Sequence, residues 1–79
     1  MLFLIEYDRD KGKVVTLVEF EDTERQRAED ARIDLEVGLN KRGIAREVVL
    51  LQASSKRALE QTHRRYFVGL GDLARATNS

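Results

Sequence analysis

The sequence predicts an α+β domain, a two-layer sandwich of order ββαβα in which a three-stranded sheet carries two helices on one face. Three observations predict it. Two runs rich in β-branched, leucine and aromatic side chains, LFLIEY at 2–7 and KVVTLVEF at 13–20, flank an Asp/Gly-rich turn. An apolar stripe at helical spacing follows. A third apolar run then leads through two serines into a second helical pattern.

Each element has a local cause. Asp8-Arg9-Asp10-Lys11-Gly12 turns the chain, because aspartates accept from nearby backbone N–H groups and glycine takes a positive φ. A hairpin closing around Asp10-Lys11 pairs Tyr7 with Val14, Ile5 with Thr16 and Phe3 with Val18, gathering bulky residues on one face. Thr23 is expected to open a helix over residues 24–42, with Gln26 completing a capping box. Glu24 suits the positive end of that helix, Lys41 and Arg42 the negative end, and Gly43 the left-handed residue beyond it. Ala28, Ala31, Leu35 and Leu39 form its apolar stripe.

Residues 46–53, REVVLLQA, make a third strand, and Ser54 or Ser55 caps a helix over 55–67 that buries Ala58, Leu59, Thr62 and Tyr66. A right-handed crossover sets the second and third strands parallel, and placing the first strand between them gives the order 3-1-2. Residues 1–68 are thus expected to form one domain, and 69–79, opening on Gly69-Leu70-Gly71, a loosely ordered tail.

A domain of this length buries roughly 60–65% of the surface its unfolded chain exposes, so its margin of stability is thin. Disulfides, metals or oligomerisation usually supplement such a core. The chain has no cysteine, which removes disulfides and fits a reducing compartment. MLFLIEYDRD lacks the basic start and long apolar core of a signal peptide, and no run is long enough to span a bilayer. A cytoplasmic location without membrane contact is expected. Net charge is zero but unevenly spread: residues 1–39 carry eleven acids and six bases, residues 40–79 three acids and eight bases. Such asymmetry reads either as two solvated faces or as surfaces that meet an anion or a second copy.

Most catalytic patterns fail for want of residues. A Ser-His-Asp relay would need the lone His63 beside a held serine, whereas Ser54 and Ser55 are explained as caps. Glu60-x-x-His63 has the spacing of di-metal helices but occurs once, and His63 falls at the edge of an apolar stripe where packing explains it. Asp8-x-Asp10-x-Gly12 lacks the later oxygen ligands of a calcium loop, and Gly69-Leu70-Gly71 lacks the third glycine and the strand of a dinucleotide fingerprint. Glu29, Asp30, Asp34 and Glu36 are interleaved with arginines, as on an exposed helix face. No catalytic residue, cofactor or metal ligand is assigned.

Two features survive. With both helices over Phe3, Ile5, Val14, Val18 and Phe20, the opposite face keeps Leu2, Leu4, Val15 and Leu17, joined by either Val48 and Leu50 or Val49 and Leu51. Ile33 and Val37 lie opposite the stripe of the first helix, and the third strand is an edge with four consecutive apolar residues. Contiguous apolar patches mark contacts. The expected interface is therefore Leu2, Leu4, Val15, Leu17, Ile33, Val37, Val49 and Leu51, serving a homodimer and a protein partner. The second feature is Lys56, Arg57, Arg64 and Arg65 beside Tyr66 and Phe67, a pairing of cations and aromatics that can hold phosphates and stack bases. A self-associating, non-enzymatic interaction module is the first expectation. A nucleic-acid-binding domain using the basic helix is the alternative, which overall neutrality weakens.

Overall fold

A computed structural model describes residues 1–67. Strands β1 (Leu2–Asp8) and β2 (Lys13–Phe20) lead through a 3₁₀ turn (Asp22–Glu24) into helix α1 (Arg25–Lys41). Strand β3 (Glu47–Gln52), helix α2 (Lys56–Thr62) and a second 3₁₀ turn (Arg64–Tyr66) complete the order. The sheet runs β2-β1-β3, with β1 antiparallel to both neighbours. The α+β class, the hairpin and the central first strand are as the sequence predicts. The tail expected from Gly69 lies outside the described residues.

Turn and cap chemistry places the elements. Asp8 Oδ1 accepts from the backbone N–H groups of Asp10 (3.0 Å) and Lys11 (3.1 Å), and Gly12 takes φ 64° to close the hairpin. Gly43, at φ 66°, lets the chain leave α1, and Ser55 Oγ accepts from Ala58 N–H (3.1 Å) at the start of α2. The start of α1 differs from expectation. Thr23 lies inside the 3₁₀ turn, and the Glu24 carboxylate reaches back to accept from Glu21 N–H (3.0 Å). Helix α2 also stops early, at Thr62, whose hydroxyl turns back to donate to the carbonyl of Ala58 (3.0 Å).

The hairpin register begins as predicted, with Tyr7 opposite Val14. A β-bulge between Glu6 and Tyr7 then inserts one residue on β2, so Ile5 faces Leu17 and Phe3 faces Glu19. Thr16, which the bulge sets opposite Glu6, donates to its carboxylate (2.8 Å). Because side chains alternate, the shift sends Leu17 to the side of Phe3 and Ile5, and Val18 and Phe20 to the side of Leu2 and Leu4.

Both sides of β1 are therefore apolar and need cover, and the two helices divide between them instead of sharing one face. Leu59 and Tyr66 close over Phe3, Ile5 and Tyr7, with Val14, Leu17, Val49 and Leu51 at the margin of that core. Helix α1 covers the other side, where Ala28 and Leu39 are buried along with Leu2 and Leu4. All seven residues of β1 are buried. Full burial of each large side chain among them contributes about 1.5–3 kcal/mol, so β1 is the principal source of stability.

Candidate functional site

The apolar residues expected at an interface do not form one patch. Leu2 and Leu4 are only 1% and 3% exposed beneath α1, which removes the open sheet face. Leu17, Val49 and Leu51 are half-buried beside the α2 core. Val15, Ile33 and Val37 are exposed, but on separate surfaces: Val15 next to the bulge on β2, Ile33 and Val37 on the outer side of α1.

What remains is an edge. Met1 and Ala53 exchange both backbone hydrogen bonds, N–H of Ala53 to O of Met1 (3.0 Å) and N of Met1 to O of Ala53 (2.9 Å). Hydrogen-bonded and non-bonded pairs alternate along an antiparallel ladder. The next bonded pairs are therefore Phe3–Leu51, Ile5–Val49 and Tyr7–Glu47. By the same alternation, Val48, Leu50 and Gln52 turn their N–H and C=O groups away from β1, toward the open side of β3. Among the described residues, no other backbone group bonds to them. The ladder between β1 and β3 has no bulge, whereas β2 is blunted by one. Residues 48–51, VVLL, carry neither charge nor proline.

A polar cluster closes the sheet at the other end of this edge. Glu47, the first residue of β3, accepts from the Tyr66 hydroxyl, from Arg65 Nη2 (2.5 Å) and from Arg9 Nε (3.0 Å). These donors, Tyr66 foremost, outweigh burial and hold its carboxyl at about 2. Burial, then the Glu47 carboxylate, pushes the Tyr66 phenol up. On the α1 side Arg46 Nη1 donates to Glu6 (2.5 Å), and its Nε lies 3.8 Å from Asp8. The backbone N–H of Lys11 leads in lowering the Asp8 carboxyl, assisted by Arg46 and the N–H of Asp10 against an opposing burial effect. Every acid here has donors, and the cluster fastens the turn after α2 and the first hairpin to the start of β3. Its partners are far apart in sequence, and the only signal for it was an acid, Glu6, inside an apolar strand.

The basic set divides. Lys56, Arg57 and Arg64 are exposed and make no ion pair among the described residues. Arg65 is committed: it binds Glu47 and lies over the Tyr66 ring, 4.2 Å from the centroid. His63 is half-buried, with its ring 6.4 Å from that of Tyr66. A cleft of about 310 Å³ separates the end of α1 from β3, between Glu36, Asn40, Ile44, Arg46 and Val48. Arg46 is its one cation, and that charge is already answered by Glu6 and Asp8. Among the described residues no helix is long and apolar enough to cross a membrane. No family model matches the chain, and no curated protein or solved structure matches it either.

Proposed function

We propose that the protein is a non-enzymatic interaction module that self-associates through the free edge of β3 and, so assembled, binds a protein partner. The observation that carries this is the row of backbone groups at Val48, Leu50 and Gln52 that have no partner among the described residues, on an unbulged strand that carries no charge beyond Glu47. Such an edge is a template for another strand. A second copy fits because an uncharged run meets itself without like-charge repulsion.

Magnitudes set the strength. Six ladder bonds at about 0.5–1.5 kcal/mol each contribute about 3–9 kcal/mol. Association costs about 4–15 kcal/mol in lost freedom. The bonds alone fall short of a tight complex, so covering Val48 to Leu51 decides the balance, and a dimer in the micromolar range is expected. Light scattering across a concentration series tests it. The mass should rise from 9.1 kDa toward twice that value and be insensitive to salt. A constant 9.1 kDa at high micromolar concentration would overturn the proposal.

A further inference from the structure

We infer that two copies pair β3 to β3, antiparallel, about a two-fold axis through Leu50, fusing two three-stranded sheets into one of six strands; this rests on the self-association proposed above. The register follows from which groups are free. Outward-facing residues bond only to outward-facing residues, so Val48, Leu50 and Gln52 must meet their own kind. A one-residue shift sets outward groups against inward ones and forms no ladder. A two-residue shift either way leaves only two of the three residues paired within the strand. Centring on Leu50 uses all three: Leu50 with Leu50, and Val48 with Gln52 twice.

Side chains agree with this alignment. On the α2 side Val49 falls opposite Leu51 of the second copy, an apolar pair made twice. Glu47 falls opposite Ala53, too small to disturb its bonds to Tyr66, Arg65 and Arg9. Centring on Val49 instead would set Glu47 against Leu51 and draw Arg46 away from Glu6 into the ladder. On the α1 side, the flank above β3 is marked by Arg25, bonded to Gln52 (3.4 Å), and by Glu36, which shares a cleft with Val48. Helical spacing puts Glu29 and Arg32 on the same flank. Its signs alternate, so two antiparallel copies meet without a block of like charge.

The absence of native cysteine makes the test direct. Bonded antiparallel partners have Cα atoms about 5.5 Å apart, inside the disulfide range of about 4.4–6.8 Å. Under mild oxidation Leu50→Cys should cross-link to a dimer and Val49→Cys should not, since Val49 lies diagonal to its own copy. Gln52 is exposed and its side chain makes only long bonds to Arg25 (3.4 Å) and Asp22 (3.5 Å). A spin label on Gln52→Cys therefore reads the register even if Leu50→Cys fails to fold, with circular dichroism and light scattering of the labelled protein checking fold and dimer. Strand geometry puts the two label sites about 14 Å apart for the Leu50 axis, against about 21 Å or 8 Å for the shifted alignments. A dimer by light scattering that cross-links at Val49, or shows either shifted distance, overturns the register and leaves self-association standing. A monomer at every concentration overturns both.

Discussion

Tyr66 donates its hydroxyl hydrogen to Glu47 and, together with the Arg65 guanidinium on the same carboxylate, joins the turn after α2 to the first residue of β3. The same ring meets Tyr7 edge-on at 5.2 Å and lies under Arg65. Tyr66→Phe keeps the ring packing and removes the donor, leaving Glu47 with two cations. Urea unfolding should show a loss of about 1–2 kcal/mol. An unchanged midpoint would mean that water or arginine replaces the hydroxyl without cost.

The depressed Glu47 carboxyl gives stability a defined acid dependence. Its folded value, about 2, lies below the ordinary carboxyl value of 4.5, so its contribution is complete above pH 4.5 and is lost as pH falls toward 2. Glu47→Gln should be less stable than the parent at neutral pH, and the gap should narrow as acid is added. Asp8, also lowered, leaves the variant some acid sensitivity. Urea midpoints at neutral pH and at about pH 3 measure the gap; parallel curves would contradict the assignment.

Proline separates the two sides of β3. Val48→Pro or Gln52→Pro deletes an outward N–H and spares the ladder to β1, so each should keep its circular dichroism and abolish the dimer. Val49→Pro deletes an N–H bonded to Ile5 and should cost about 3 kcal/mol or more. Equal damage from all three would show that the assignment of free and bonded groups is misplaced.

Two glycines of α1 and its exit should respond with opposite signs. Gly38 is helical, and a methyl there would meet nothing nearer than Arg42 Nη2 at 3.9 Å, so Gly38→Ala should stabilise by about 0.5–1 kcal/mol. Gly43 has equally open surroundings but φ 66°, so Gly43→Ala should cost about 1–2 kcal/mol from backbone strain alone. Thermal melts of both variants provide the comparison.

Labelled duplex DNA or RNA should show no anisotropy change at low salt, because Lys56, Arg57 and Arg64, the three cations of the basic set without an ion pair among the described residues, make a weak electrostatic footprint on a neutral protein. Binding with a slope of about −3 in log affinity against log salt, flattened by Arg57→Ala and Arg64→Ala, would favour the nucleic-acid alternative. Arg65→Ala should lower the melting temperature more than Arg64→Ala, because only Arg65 is tied to Glu47.

Local chemistry was legible in the sequence. Gly12, Gly43 and Ser55 each need only their immediate neighbours to act as turn, exit and cap, and all three do so. The bulge was not legible, since it depends on how Thr16 meets Glu6 across the hairpin. Missing it reversed the facing of Leu17, Val18 and Phe20 and placed both helices on one side. The near-continuous apolar run of β1 was the available sign, since alternation marks a half-buried strand and continuity marks one covered twice. The edge of β3 was visible as four apolar residues, but which backbone groups lie free required the ladder.

The central place of β1 also fixes an order of events during synthesis. Its partner β2 follows within a few residues, whereas its bonds to β3 join residues about forty to fifty apart in sequence. At roughly 5–20 residues per second, β1 spends about 2–10 s with one side unpaired after it is made. Throughout that interval the hairpin offers a second apolar edge, the one β3 later occupies. Crowded nascent chains should therefore mispair through β1, and the yield of folded protein should respond to the speed of the ribosome.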